Sequence, residues 1–141
     1  MSEQVDIVVL GLGVGGEEAG RRLAEAGLSV VGVEHGLVGG ECAYWGCIPT
    51  KALLHAAEVA DTTRDSAQFG IQAELTGIDM AAVNAYKDGV VSKGYKGLQG
   101  LIKAAKRVTT VAGEGKLVAR DTVAVDGRRL VGRQVVLATG S

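Results

Sequence analysis

The first 34 residues constrain this 141-residue chain more than any other stretch. Val5 to Leu10 reads Val-Asp-Ile-Val-Val-Leu, a β-rich run with little polar relief. Such a run predicts a strand buried on both faces. It leads straight into Gly11-Leu12-Gly13-Val14-Gly15-Gly16. From Val14 to Ala26 the apolar residues Ala19, Leu23 and Ala26 share a stripe, while Glu17, Glu18, Arg21, Arg22 and Glu25 lie elsewhere. That is an amphipathic helix, with Gly27 in the C-cap position. A second β-rich run, Ser29 to Val33, ends at Glu34. Strand, glycine turn, helix and strand make a βαβ unit, which commits the chain to a parallel sheet and the α/β class.

Gly11-x-Gly13-x-x-Gly16 is spaced as a dinucleotide-binding turn. The three glycines allow a tight turn, close approach of backbone to a pyrophosphate, and close helix–strand packing. The helix N-terminus then offers free N–H groups and partial positive charge to phosphates. Glu34 ends the next strand 23 positions after Gly11, where a carboxylate can accept hydrogen bonds from adenosine ribose hydroxyls. The plainer alternative is a glycine-rich turn followed by a surface Glu.

Beyond Glu34, a glycine-punctuated loop spans His35 to Tyr44, and a helix is predicted from Gly46-Cys47 through Ala60 with Pro49 in its first turn. Asp79 is placed to cap a further helix over Met80 to Val90, whose continuation is interrupted by Gly94, Gly97 and Gly100. Arg107–Val111 reads as a strand. Lys116–Ala119 and Thr122–Val125 read as a hairpin, and Asp126-Gly127 turns the chain towards Leu130–Val131. Gln134–Ala138 is a last buried strand before Thr139-Gly140-Ser141. With no repeat or inter-domain linker, residues 1–141 are expected to form one domain, a parallel sheet extended by an antiparallel meander.

Fifteen basic against sixteen acidic side chains leave a net charge of −1, which provides no electrostatic footprint for nucleic acid or an anionic membrane. No apolar run approaches the roughly 18 residues of a membrane span. The N-terminus lacks a basic-then-apolar signal, so a cytoplasmic location is expected.

The two cysteines fall within one short window, Cys42-Ala-Tyr-Trp-Gly-Cys47. In a regular helix, residues five apart are separated by about 7.5 Å of rise alone, beyond disulfide reach. Bridging therefore requires Cys42 to lie before the helix or in a distorted first turn, and Gly39, Gly40 and Gly46 permit such a bend. Cys47 at a helix N-terminus has its thiolate favoured by the helix dipole. A reversible redox dithiol fits this pattern. The alternatives are a buried structural pair and a metal site drawing on His35 or His55.

Taken together, Gly39-Gly40-Glu41-Cys42 through Gly46-Cys47-Ile48-Pro49-Thr50-Lys51, the Gly11–Gly16 turn, Glu34 and the terminal Ala138-Thr139-Gly140-Ser141 resemble the pyridine nucleotide–disulfide oxidoreductases. This is the class of dihydrolipoamide dehydrogenase, glutathione reductase and mercuric reductase, and the resemblance covers Val5 to Ser141. It implies a Rossmann-like FAD-binding domain, with NAD(P)H as electron donor and a small-molecule disulfide or other electron acceptor as substrate. Gly11, Gly13 and Gly16 would bind the pyrophosphate and Glu34 the ribose. Gly40 and Glu41 belong to the same cofactor-binding stretch. Cys42 resembles the interchange thiol that attacks the substrate, and Cys47 the thiol nearer the flavin. Lys51 matches the lysine beside the flavin's reactive nitrogen. Gly115 matches the contact to the adenine side, and Thr139 and Gly140 the turn near the ribityl chain.

Two features depart from the family pattern. Tyr44 and Trp45 replace smaller polar and aliphatic residues between the cysteines, and Thr50 stands for the commoner Ser. The family's NAD(P)H domain, its returning FAD-domain segment and its dimer domain would all lie beyond Ser141. The expectation is a portion of a longer, homodimeric flavoprotein, inactive alone. Rival readings are a quinone or mercuric ion reductase of the same fold, a non-catalytic FAD-binding module, and an NAD-dependent dehydrogenase with incidental cysteines.

Overall fold

A computed structural model describes residues 2–141. Its strands are β1 (Ser2–Leu10), β2 (Val30–Glu34), β3 (Val108–Ala112), β4 (Lys116–Ala119), β5 (Thr122–Val125) and β6 (Arg128–Leu137). They form one sheet in the order β3-β2-β1-β6-β5-β4. The pairs β1·β2, β2·β3 and β1·β6 are parallel, while β5·β6 and β4·β5 are antiparallel. The helices are α1 (Val14–Glu25), α2 (Gly40–Tyr44), α3 (Cys47–Arg64) and α4 (Met80–Ala104), with a 3-10 turn at Ser66–Phe69.

The two-residue period of β1 explains where the core sits. Val8 and Leu10 join Val31, Val33, Val111, Val123, Val125 and Leu130 on one face; Ile7 and Val9 join Leu12, Ala24 and Val30 on the other. Val8 and Val9 are fully buried. Each such side chain contributes roughly 1.5–3 kcal/mol relative to exposure. Asp6, the acid within the Val5–Leu10 run, is held by Ser29, which directly precedes β2. The Asp6 carboxylate accepts from the Ser29 backbone N–H at 2.9 Å and the Ser29 hydroxyl at 2.8 Å, and the Asp6 N–H donates to Ser29 Oγ at 2.9 Å.

The expected parallel sheet and antiparallel meander are both present, and β6 belongs to both. Its first residues pair with β5 on one side and with Ser2–Val5 of β1 on the other. This double pairing extends β1 back to Ser2, and it merges the two short strands expected at Leu130–Val131 and Gln134–Ala138 into one. Ala138 still donates its N–H to the Leu10 carbonyl at 2.8 Å.

Three other elements differ from the sequence reading. The 35–44 stretch is not all loop, because Gly40–Tyr44 closes a short helix. Helix α3 continues past Ala60 to Arg64. Helix α4 runs unbroken for 25 residues through Gly94, Gly97 and Gly100. Asp79 caps it as expected, accepting from the N–H groups of Ala81 and Ala82 at 2.9 and 3.2 Å. Each interior glycine costs about 1 kcal/mol, and packing against α3 and α2 offsets that cost.

Candidate functional site

Where β1 and β2 end, several loops converge around a cleft of about 670 Å³. Its floor is the glycine turn. Gly11 has φ +93°, and a Cβ there would collide with the Ala138 carbonyl, so the end of β6 lies directly against it. A Cβ at Gly16 would collide with the Gly11 carbonyl oxygen, which lets α1 descend onto the turn. Gly13 is different: its φ is −63°, and nothing lies within 4 Å of where its Cβ would stand. It faces open space in the cleft.

No side chain caps α1 at Gly13. Its N-terminal N–H groups and the positive end of its dipole are therefore available to an anion. Among the described residues that line the cleft there is no Lys or Arg. A pyrophosphate here would be held by backbone, not by cations. Glu17, in the first turn of α1, has its carboxyl pushed up by burial, against the opposing charge of Arg21.

Glu34 reaches back to this floor. One of its oxygens accepts from the Leu12 N–H at 2.8 Å, the other from the Gly36 N–H at 2.8 Å, and His35 Nδ1 lies 3.3 Å away. Only 11% of its side chain is exposed. The carboxylate thus braces the glycine turn as well as bordering the cleft. The β3–β4 loop closes the same end. Gly113 donates to the Glu34 carbonyl at 2.9 Å, and a side chain at Gly115 would strike Leu10 and Val33.

The cysteine-bearing segment docks through glycine as well. Gly39 donates to the Leu12 carbonyl at 2.8 Å and pairs with Gly13 in a parallel bridge. A Cβ on Gly40 would come within 2.9 Å of Gly13 Cα, so the two chains touch back to back. Helix α2 starts at this contact and carries Cys42 in its middle. The chain then breaks. Trp45 and Gly46 both donate to the Glu41 carbonyl at 2.8 Å, and α3 begins at Cys47. Cys42 and Cys47 are disulfide-bonded with Cα atoms 4.6 Å apart. The geometric requirement is met by two separate helices: Cys42 lies before α3, in a short helix of its own and not in a loop.

Of the sequence-predicted residues, Gly11, Gly13, Glu34, Gly40, Glu41, Gly115, Thr139 and Gly140 line the cleft. Gly16 supports it from beneath. Cys42, Cys47 and Lys51 do not line it; their neighbours Glu41, Tyr44 and Trp45 do. Lys51 is exposed on α3, one turn beyond Cys47. Cys47 is exposed and Cys42 half-buried. Sequence reasoning singled out Gly39, His35 and Tyr44 for other reasons but gave none of them a cofactor-site role; His35 and Tyr44 line the cleft, and Gly39 anchors the segment to Leu12. The paired glycines 39 and 40, each at positive φ, were the available signal. Among the described residues no three His, Cys, Asp or Glu side chains converge as metal ligands. His55 instead lies 3.5 Å from Glu58. Among the described residues no helix is long and apolar enough to cross a membrane.

Comparison with known proteins agrees with this geometry. The profile of the pyridine nucleotide-disulphide oxidoreductase family matches residues 5–141. Dihydrolipoyl dehydrogenase of Thermus scotoductus is 40% identical over 136 residues, covering 96% of this chain and 29% of that protein. The same enzyme of Chlamydia trachomatis is 40% identical over 144 residues, covering 100% and 31%. Leghemoglobin reductase of Vigna unguiculata is 40% identical over 147 residues, covering 99% and 28%. The chain thus spans under a third of the curated relatives it matches. In fold it is similar to the HOCl-induced flavoprotein disulfide reductase RclA from Escherichia coli. Its Cu(II) complex superposes with a TM-score of 0.79 at 22% identity, over 98% of this chain and 29% of that one. With the glycine floor, the Glu34 brace and the Cys42–Cys47 bridge all in place, the chain belongs to the pyridine nucleotide-disulphide oxidoreductase family.

Proposed function

We propose that this chain is the FAD-binding part of an oxidoreductase that passes electrons from NAD(P)H through FAD to the Cys42–Cys47 disulfide, and on to a small-molecule disulfide. The observation that carries the reading is the bridge itself. It joins α2 to α3 immediately behind Glu41, Tyr44 and Trp45, which line the cleft.

The residues fit the cofactor. A cleft of this size suits a large nucleotide, and its floor has an uncapped helix N-terminus with an open approach at Gly13. When bound, FAD supplies the two-electron relay between nicotinamide and disulfide. Gly11 and Gly13 would hold the pyrophosphate, with Gly16 supporting the turn, and Glu34 and Glu41 would accept hydrogen bonds from sugar hydroxyls. Gly40, Gly115, Thr139 and Gly140 would let backbone approach the rest of the cofactor, and Lys51, outside the cleft lining, would contribute positive charge to the flavin.

The chain's own part of the reaction is thiol–disulfide exchange. In the reduced pair, Cys42 attacks one sulfur of the substrate disulfide and releases one thiol. Cys47 then displaces the second thiol and re-forms the Cys42–Cys47 bond. Two electrons leave the pair, and the substrate's two sulfurs end as thiols. The positive end of the α3 dipole favours negative charge on Cys47. The complete enzyme is proposed to be a cytoplasmic homodimer.

Titrating the apo form of the complete enzyme with FAD, and reducing its Cys42–Cys47 pair with a small dithiol, tests both halves of the reading. Saturable quenching of flavin fluorescence and a reversible two-electron change in thiol content are expected. A complete apoenzyme that ignores FAD, or whose Cys42–Cys47 disulfide cannot be cycled, would defeat it.

A further inference from the structure

Helix α2 cannot hold itself in place. It has five residues, none of them buried, and no side-chain cap at Gly39. An isolated helix of that length is unstable in water. Yet it carries Cys42, whose Cα must stay 4.6 Å from that of Cys47. Its N-terminal end is fastened by the Gly39–Leu12 hydrogen bond. Towards its C-terminal end, where α2 also packs on α3, the side chain of Tyr44 supplies the ties to the preceding loop and to α4. The Tyr44 hydroxyl donates to the Val38 carbonyl at 2.7 Å, closing the segment onto the loop that precedes it. Its ring meets Tyr95 of α4 edge-on, with centroids 5.5 Å apart. Leu98, one turn further along α4, reaches the Gly39 end of the same segment.

We propose that Tyr44 is a positioning residue for the redox pair: gripping Val38 and Tyr95, it holds Cys42 against Cys47 and so favours the closed disulfide over the dithiol. The inference rests on the redox role proposed for the pair and adds a determinant of its equilibrium. Loosening α2 after reduction gives the dithiol more conformations, lowers the effective concentration of one thiol at the other, and shifts the balance towards the reduced form. The exchange involved is balanced. A small dithiol attacks one cysteine sulfur, the Cys42–Cys47 bond breaks, and the dithiol closes to its cyclic disulfide, passing two electrons and two protons to the cysteines.

The test equilibrates the purified chain and its variants with ratios of reduced to oxidised dithiothreitol. The reduced fraction is read by thiol trapping and mass spectrometry, and independently by the emission of Trp45, the chain's one tryptophan. Tyr44→Phe keeps the ring and loses the hydroxyl. It is expected to move the equilibrium about 3- to 10-fold towards the dithiol, or about 15–30 mV. Tyr44→Ala, which also loses the edge contact, should move it further, about 10- to 100-fold. Tyr95→Ala should give a shift that is not additive with Tyr44→Ala, since both remove the same contact. A Tyr44→Phe chain whose equilibrium stays within about 1.5-fold of the unsubstituted chain overturns the inference, even if its unfolding temperature falls. That pattern would make Tyr44 a packing residue only. Failure of the unsubstituted disulfide to cycle would instead overturn the proposed function, and this inference with it.

Discussion

Gly13 and Gly16 belong to one motif, and the structure predicts that they fail in opposite ways. At Gly16 a single added methyl would meet the Gly11 carbonyl oxygen at far less than contact distance, with the Ala138 side chain only 3.1 Å off. Neither partner is the free end of a flexible side chain, so α1 or the turn must shift. Overpacking of this kind costs about 1–3 kcal/mol. For a domain of this size that is a fall in Tm of roughly 4–12 °C. At Gly13 the backbone has an ordinary negative φ and no atom lies within 4 Å of the added Cβ. The added Cβ is unopposed, so Gly13→Val should cost about 1 kcal/mol or less, the scale of an N-cap change. Its side chain would instead stand where the pyrophosphate must approach the α1 N-terminus. Flavin affinity should drop at least 100-fold, equivalent to about 2.7 kcal/mol. Thermal unfolding of the chain by circular dichroism without flavin measures the first effect, and a flavin fluorescence titration of the complete enzyme the second. The expected result is a crossed pattern, with Gly16→Ala unstable and Gly13→Val stable but unable to hold FAD. Gly13→Val with unaltered affinity would place the pyrophosphate elsewhere, and Gly16→Ala with an unaltered Tm would refute the packing argument.

Glu34→Ala removes the acceptor for both the Leu12 and Gly36 N–H groups, so it should cost about 1–3 kcal/mol in urea unfolding and weaken FAD as well. The paired Ser29 hydrogen bonds, helped by Arg133, hold the Asp6 carboxyl below its ordinary 3.8. Its contribution is therefore fully present above that value and is lost as pH falls through the lower folded one. Asp6→Asn should flatten the acid limb of an unfolding-versus-pH curve, and an unchanged limb would show that Asp6 is not linked to folding. In the flavin-loaded complete enzyme, Cys42→Ser should leave a long-wavelength charge-transfer absorption from the Cys47 thiolate, and Cys47→Ser should leave none. The reverse pattern would exchange the two roles.

The βαβ unit was legible in the sequence because its signals are local. A two-sided apolar run, a glycine turn and a 3.6-residue stripe each state their conformation within a dozen residues. The same holds for the Asp79 cap, and for the requirement that Cys42 and Cys47 straddle a break, which follows from helical rise alone. The tertiary structure decided what depends on partners far away in the chain. That β6 is one strand follows from its pairing with residues 2–10, more than a hundred positions away. The glycines of α4 are tolerated because α3 and α2 pack on that helix. The roles of Gly13 and Gly16, identical as letters in a motif, separate only when the space beside each Cα is known. Tyr44 followed the same rule: between two cysteines it read as an oddity, and only folding brings Val38 and Tyr95 to it. Backbone preference is written residue by residue, whereas a side chain's role is set by the neighbours that the fold assembles around it.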